Sequence, residues 1–306
     1  MTASIQSPTS MPLGGPTING TFVTVDQMTN PSTVIPPTIR NLVAANEGYF
    51  AERIFSTPGM TATDAIIYEE SFPSNHFLDP NKTIAPRAPG SEAPRIAALR
   101  GVPSIARSES WSGSIEVTDE ARRTNNVIEV QRVFRAAANE FADRIQTRAI
   151  ETLNSAVNAW GRTIAGTPWD VALTGGVPNA NPNTLPQRDL SLVLRQFAKD
   201  KTGIKPDTLI VHPDDAFFLD LIYGDKLAAL LGRYGLTMFE TIEQPSGTAL
   251  FVKAGAVGVM AFVKPLDQEY VREGTRKTDV YVLEAVPIFV ANDASAIIRL
   301  TGINPV

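Results

Sequence analysis

The stretch NNVIEVQRVFRAAANEFADRIQTRAIETLNSAVNAW, residues 125–160, carries the strongest secondary-structure signal in the chain. Its apolar residues recur at spacings of three and four, the period of an α-helix with one apolar face. The spacing predicts a helix of about eight turns, roughly 45 Å long, packed on a sheet. No clean heptad is present, which disfavours a coiled coil. The predicted stripe consists of Val130, Phe134, Ala137, Phe141, Ile145, Ala149, Leu153 and Val157.

The composition is that of a folded protein with a sizeable core. The chain has 306 residues, of which 43% are apolar and 19% charged, and this length is typical of about two domains. The net charge of −5 disfavours a broad basic surface for nucleic acid. The sequence contains no cysteine, which excludes disulfides and thiolate catalysis and fits a reducing cytoplasm.

Neither a signal peptide nor a membrane span is predicted. The opening residues, MTASIQSPTSMPLGG, contain no basic start and no apolar core run, so no signal peptide is expected. The clearest uncharged apolar run, AGAVGVMAFV at 254–263, is too short to cross a bilayer. We interpret it as a buried strand.

Residues 1–39 form an unusual low-charge segment. Asp26 is their one charged residue, and Ser, Thr, Pro, Gly and Asn are abundant. Such a segment does not bury enough apolar surface by itself to offset the entropy of ordering it. It nevertheless carries large apolar residues, and an extended arm lying on a neighbouring subunit would have this pattern. They include Ile18, Phe22, Val23, Val25, Val34, Ile35 and Ile39.

Residues 64–117 predict a two-stranded ribbon with a long tip. DAIIYEESF, 64–72, has the pattern of a strand, and residues 95–117 return as a broken strand. Residues 73–94 between them contain five prolines, which predicts a loop. A lone hairpin is marginally stable in water, so we expect this ribbon to need a partner surface.

Residues 161–188, rich in Gly, Pro, Asn and Thr, predict a boundary before a compact α/β unit. Helices are expected at 189–200, 213–222 and 225–232, and strands at 207–212, 236–242, 248–254 and 256–263. The chain then ends in strands, with a turn at Asn292-Asp293 and an edge or bulge at Pro287. Those closing strands are expected at 269–275, 279–291 and 295–303.

The cluster His212-Pro213-Asp214-Asp215 contains one of the two histidines and is the best candidate for chemistry. A general base needs an orienting partner and a nucleophile, and a metal needs three or four ligands. Local structure gives a better account of these residues, because Pro213 suits the first turn of a helix and carboxylates suit its positive end. We therefore expect no catalytic residue, no metal and no cofactor. A soluble α/β enzyme using His212 with Asp214 or Asp215 stays open as an alternative.

The order of these parts resembles the major capsid protein of tailed bacteriophages, the Hong Kong 97-type fold that encapsulins share. DTLIVHPDDAFFLDLI, 207–222, resembles the strand and proline-opened helix of that fold's A domain. The resemblance implies an α+β fold in five parts along the whole chain. These are an N-terminal arm at 1–45, the E-loop with flanking strands at 46–115, the P domain with its spine helix at 116–185, the A domain at 186–264, and P-domain return strands at 265–306.

The resemblance implies a structural protein and not an enzyme. Subunits would assemble into pentamers and hexamers of an icosahedral head that encloses double-stranded DNA without sequence-specific contact. The head would be part of the virion, assembled in the host bacterial cytoplasm without a membrane. Portal, scaffolding, protease or decoration proteins are expected partners of such a head. An encapsulin-like protein compartment and a tail or decoration protein remain alternatives.

Some members of that family join subunits through an isopeptide bond between an E-loop lysine and a P-domain asparagine, with a glutamate as base. The resemblance gives Lys82 and Asn292 as the corresponding pair. Glu284 is the nearest glutamate before Asn292, and none follows it, so a matching base is missing from the expected stretch. A solvated lysine and a turn asparagine is the interpretation that we favour.

Overall fold

The computed structural model describes residues 51–304, except positions 62, 81, 88, 94, 125–126, 175–176 and 179–184, together with the backbone of 17–18 and 21–22. Nearly all of the arm predicted at 1–45 therefore lies outside the described residues. In that arm, Thr17–Ile18 and Thr21–Phe22 pair as two short antiparallel strands.

Helices and strands are both abundant, as an α+β fold predicts. The helices are α1 Ala51–Ile54, α2 Asp119–Arg123, α3 Val127–Trp160, α4 Pro186–Lys199, α5 Pro213–Tyr223 and α6 Leu227–Tyr234. The strands are β1 Thr17–Ile18, β2 Thr21–Phe22, β3 Ala65–Glu70, β4 Val102–Arg107, β5 Trp111–Thr118, β6 Thr163–Ala165, β7 Leu173–Thr174, β8 Val177–Pro178, β9 Thr208–Val211, β10 Thr237–Glu240, β11 Thr248–Val252, β12 Gly258–Glu273, β13 Thr278–Ala291 and β14 Ile297–Thr301.

A five-stranded mixed sheet in the order β10-β9-β11-β14-β6 lies at the centre of the fold. β9 is parallel to β10, and β14 is parallel to β6, while β11 pairs antiparallel with both β9 and β14. All four residues of β9 are buried. This central strand is covered on both faces because neighbouring residues of a strand point to opposite sides. The predicted buried strand at 207–212 is confirmed.

The long helix α3 packs on one face of this sheet. Its Ile150, Leu153 and Val157 share a core with Ile210 of β9 and Leu250 of β11. The predicted helix is confirmed over 34 residues.

The burial predicted for the apolar stripe of α3 is found over only part of the helix. Ile145, Ala149, Leu153 and Val157 are buried, but Ala137 and Phe141 are only half-buried. The side chains of Val130 and Phe134 lie outside the described residues. The buried residues described in the N-terminal half are instead the small side chains Ala138 and Ala142, which are 1% and 0% exposed.

Helices α4, α5 and α6 cover the opposite face of the five-stranded sheet. Val193 and Phe197 of α4, Leu219 of α5 and Leu231 of α6 share a core with Phe251 of β11. The carboxylate of Asp189, at the start of α4, is fully buried. It accepts hydrogen bonds from the Thr167 amide at 2.9 Å and from the Trp169 indole at 3.2 Å. These bonds fix the segment after β6 to the helical layer.

The second sheet consists of three long antiparallel strands in the order β12-β13-β5. We predicted separate strands at 256–263 and 269–275, and this is wrong, because one 16-residue strand, β12, spans both. Its register shifts between Phe262 and Lys264 and again between Lys264 and Asp267. Pro287 of β13 pairs with Phe262 at the first shift, so the bulge predicted at Pro287 is confirmed.

The ribbon predicted between residues 64 and 117 consists of β3 and β4, which pair antiparallel with Ile67 opposite Ile105. The Ser71 amide donates a hydrogen bond to the Asn292 carbonyl at 2.7 Å and so joins the ribbon to the end of β13. The loop between the two strands contains a short 3-10 helix at Pro73–His76. Its remaining described residues form no helix or strand. The predicted proline-rich loop is therefore confirmed.

Candidate assembly surfaces

His212 forms the N-cap of α5. Its Nδ1 accepts a hydrogen bond from the Asp214 amide at 3.1 Å, and Pro213 occupies the first helical position. The Asp214 carboxylate lies 3.3 Å from the same nitrogen. A nitrogen that accepts an amide proton does not also donate one, so the nearby carboxylate does not orient this imidazole as a base. The predicted strand-proline-helix arrangement is confirmed.

Asp215, in the first turn of α5, is fully buried. Its Oδ2 accepts a hydrogen bond from the Gly247 amide at 2.9 Å, while its Oδ1 has no hydrogen-bond partner among the described residues. Burial raises the pKa of this carboxyl, and the hydrogen bond from the Gly247 amide only partly opposes that effect. Asp215 therefore holds the turn before β11 against α5.

The other histidine, His76, lies at the base of the ribbon. Its Nε2 is 3.3 Å from the Ser71 hydroxyl and 3.6 Å from the Asp293 carboxylate. A serine activated by histidine needs the carboxylate on the opposite ring nitrogen. Here both partners share Nε2, so these three residues do not form a hydrolytic triad.

The described part of the chain contains neither a cluster of metal ligands nor a membrane-spanning helix. None of its His, Asp and Glu residues converge in groups of three or more that could hold a metal ion. None of its helices combines the length and apolar character needed to cross a bilayer. The surface of the described residues is distinguished by exposed large apolar side chains.

The ribbon carries the most exposed apolar surface. Its outer face bears the cross-strand pair Ile67 and Ile105, which are 77% and 63% exposed. The tip adds Ile84 and Ile96, exposed to 79% and 59%. Single surface leucines and isoleucines are ordinary, but four strongly exposed isoleucines on one thin ribbon make it a candidate interaction site.

The base of the ribbon is fixed to the body. Glu70, at the end of β3, accepts hydrogen bonds from the Trp160 indole at 2.8 Å and from the Ser104 hydroxyl at 2.8 Å. Trp160 ends α3 and packs edge-on against Phe72. One face of the ribbon is therefore held against its own chain, while the face with the isoleucine pair points to solvent.

Residues 101–300 match the family described as Phage capsid protein. The chain belongs to this family of phage capsid proteins. The matched segment begins just before β4 and ends within β14, so it includes both large sheets and the long helix α3.

Solved structures share the fold of this capsid protein. A chain from Mycobacterium phage Cain is 14% identical with a TM-score of 0.59, over 93% of this chain and 99% of that one. The capsid of Myoviridae phage XM1 is 12% identical with a TM-score of 0.55, over 83% and 90%. The virus-like particle of Pyrococcus furiosus is 9% identical with a TM-score of 0.54, over 86% and 95%. No curated protein matches by sequence.

The capsid protein therefore has the Hong Kong 97-type α+β fold that the order of its parts predicted. Within it, Lys82 is exposed at the tip of the ribbon. Asn292 lies at the ribbon's base, where its carbonyl bonds Ser71. The assignment of these two residues to a covalent link between subunits stays a prediction.

Glu284 is paired with a lysine of its own chain. Its carboxylate lies 2.7 Å from Lys264 Nζ and 3.3 Å from the Ser110 hydroxyl. The hydrogen bond and charge of Lys264 lower the pKa of Glu284. A carboxylate stabilised in its charged form is a weaker base, which disfavours Glu284 as the base for that link.

The capsid protein exposes further apolar side chains that sequence reasoning did not single out as surface residues. Phe217 and Leu221, one turn apart on α5, are both exposed. Ile242, in the loop between β10 and β11, is 73% exposed. The sequence shows that these residues are apolar, but its periodicity does not distinguish a side chain buried by its own chain from one exposed to solvent.

Proposed function

We propose that this chain is the major capsid subunit of a phage head. It assembles into pentamers and hexamers that close an icosahedral shell around double-stranded DNA. In this proposal residues 1–45 are the arm, 46–115 the E-loop, 116–185 with 265–306 the P domain, and 186–264 the A domain. The head forms in the bacterial cytoplasm and remains in the virion.

The observation that carries this proposal is the exposed isoleucine pair on the ribbon. Ile67 and Ile105 lie directly opposite each other, so their side chains form one apolar patch. Burial of each would contribute about 1.5 to 3 kcal/mol, and the isolated subunit gains little of it. A neighbouring subunit that covers this face supplies the missing burial, which gives self-assembly its physical basis.

The charge of the chain supports a container for DNA over a protein that binds DNA tightly. Its net charge is −5, and affinity for a phosphate backbone depends on the neutralisation of phosphates by lysine and arginine. A shell wall with this charge encloses DNA without binding it tightly, so the packaged DNA can later be released. No sequence-specific contact is required.

The experiment is electron microscopy of the purified wild-type chain beside the double variant I67S/I105S. Wild-type protein is expected to form closed particles, and the variant to remain as dissociated but folded subunits. The matched control is Val171→Ser, which removes an exposed apolar side chain outside the ribbon and should assemble normally. A wild-type chain that stays monomeric under all assembly conditions contradicts the proposal.

The contents of the particles test the finer part of the proposal. Heads from an infected cell should contain double-stranded DNA that nuclease does not reach. Shells that instead enclose a specific protein and no DNA would indicate an encapsulin-like compartment.

A further inference from the structure

We propose that the α/β unit carries two complementary ends, a basic groove and an acidic loop, and that the groove of one subunit binds the loop of the next. This inference rests on the proposed self-assembly and names the contact that orders subunits in a ring. Both ends belong to one chain, so each subunit offers one of each.

The groove lies beside the segment that precedes β9. It has a volume of about 460 Å³, and its accessible apolar wall includes Leu194, Ala198 and Ile204. Lys201, Lys205 and Arg233 line the same groove, and all three are exposed. No carboxylate is among the described residues that line it. An apolar wall with three cations fits an apolar anchor flanked by carboxylates.

The carboxylates nearest in sequence to the groove are already paired. Asp200 lies 2.7 Å from Arg162, and Asp207 lies 2.6 Å from Lys253. Neither is matched with a lysine of the groove. The positive charge of Lys201 and Lys205 is therefore not neutralised by any described carboxylate of the subunit.

The acidic loop has the complementary pattern. Ile242 is 73% exposed, and Glu240 and Glu243 flank it in the sequence. No described cation forms an ion pair with either glutamate. Across a cleft of about 710 Å³, Glu140 and Asp143 of α3 add two carboxylates, although Glu140 pairs with Arg144 at 2.9 Å.

The two ends lie at opposite ends of the same strands. β9 and β10 are parallel, and both run from the groove side toward the acidic loop. Lys205 precedes β9, whereas Glu240 ends β10 and the Thr241 amide bonds the last residue of β9, Val211. Four residues of strand separate the ends by roughly 13 Å. A contact between unlike ends of identical subunits is heterologous, and such contacts close into rings when the rotation permits.

A second copy fits the groove better than nucleic acid does. Stable binding to a phosphate backbone draws on many cations along a continuous track, and this groove offers three. Its apolar wall offers a phosphate neither a hydrogen bond nor a charge, but it accommodates the Ile242 side chain. Opposite charges on two subunits also fix the register of the contact.

The experiment reverses the charge at each end separately and then together. E240K/E243K makes both ends basic, and K201E/K205E makes both ends acidic. Each double variant should lose ring formation by at least about tenfold, because like charges then meet at the contact. The quadruple variant, which exchanges the two signs, should recover rings.

Mixing the two double variants gives a sharper result. Unlike variants pair and like variants repel, so the mixture should form rings of six and not rings of five. Native mass spectrometry distinguishes the two. The control D220K/D225K makes the same change in net charge as E240K/E243K, on other exposed residues of the α/β unit, and should assemble as the wild type does.

The outcomes separate this inference from the proposed function. A wild-type chain that never assembles overturns both. Wild-type particles with no loss in the double variants, or no recovery in the quadruple variant, overturn the pairing of groove and loop alone. Unchanged thermal unfolding of each variant verifies that a loss reflects the contact and not the fold, since the substituted side chains lie at the surface.

Discussion

Strand β9 of the α/β unit and strand β3 of the ribbon have similar apolar residues in opposite surroundings. Ile210 of β9 is fully buried between two helical layers, whereas Ile67 of β3 is 77% exposed. The centre of the five-stranded sheet is buried within one chain, whereas the outer face of the ribbon is not. The proposed assembly accounts for this difference, because a neighbouring subunit would cover the ribbon.

Breaking the α/β unit should have the largest effect. Phe251→Ala removes a fully buried ring from the centre of the sheet, and we expect a loss of about 3 to 5 kcal/mol in the free energy of unfolding. Chemical denaturation of the dissociated subunit measures it. A loss below about 1 kcal/mol would show that this sheet does not carry the stability of the subunit.

The long helix α3 allows the same comparison within one element. Leu153→Ala should cost about 2 to 5 kcal/mol, since Leu153 is fully buried in the isolated subunit. Phe141→Ala should cost clearly less, because Phe141 is only half-buried. Its effect should grow when stability is measured in assembled particles. Equal losses in the dissociated subunit would mean that the helix is covered along its whole length.

The anchor of the ribbon is expected to contribute less. Trp160→Phe keeps an aromatic ring but removes the donor to Glu70, and a hydrogen bond to a charged group contributes about 1.5 to 3 kcal/mol at most. Hydrogen exchange of residues 65–70 should accelerate while exchange in β9 stays unchanged. Ser104→Ala removes the other donor to Glu70, so this second variant should also accelerate exchange of residues 65–70. Unaltered exchange in both variants would refute the anchor.

Asp207 and Asp215 should give the smallest effects, which are on the pH dependence of stability and opposite in sign. Burial alone would raise the pKa of Asp207, but the Ala254 amide and Lys253 outweigh it and the pKa is lowered. Its contribution is present above the ordinary aspartate pKa near 4 and is lost as pH falls through the folded value. After allowance for solvent screening we expect less than about 1 kcal/mol.

Asp215 has a raised pKa, chiefly from burial. The protonated form is favoured in the folded state, so this stabilisation is fully present below the ordinary aspartate pKa near 4 and is lost as pH rises through the folded value. Asp215→Asn should therefore reduce the loss of stability as pH rises. Asp207→Asn should reduce the loss of stability as pH falls. Thermal unfolding of both variants between pH 3 and pH 8, values that bracket ordinary carboxyl titration, would measure this. Identical profiles would contradict the assignment.

Local order in the α/β unit was predictable because several signals agree there. The buried run before His212, Pro213 in the first turn and two aspartates after it together predicted the boundary between β9 and α5. β12 was divided wrongly because Lys264 and Pro265 interrupt its apolar pattern. A strand at the edge of a sheet tolerates proline, and an edge position is not visible in the sequence.

The assembly surfaces were only partly predictable. The prolines of 73–94 predicted the loop of the ribbon, and the marginal stability of a lone hairpin predicted that the ribbon needs a partner. The second of these stays a prediction. The acidic loop and basic groove were not predicted, because Lys201 and Arg233 are brought together by packing of α4 against α6. Contacts between residues distant in sequence depend on the sheet order, which local pattern does not specify.

The most direct test of the account uses the absence of cysteine in the chain. Ile105→Cys introduces one thiol on the exposed face of the ribbon, and Val171→Cys places one outside it. The rate of thiol labelling is then compared in dissociated subunits and in assembled particles. We predict that Cys at 105 reacts rapidly in subunits and at least about tenfold more slowly in particles, because a neighbour covers it. Equal rates in both states, with particles confirmed by microscopy, would contradict the claim that the ribbon is completed by another subunit.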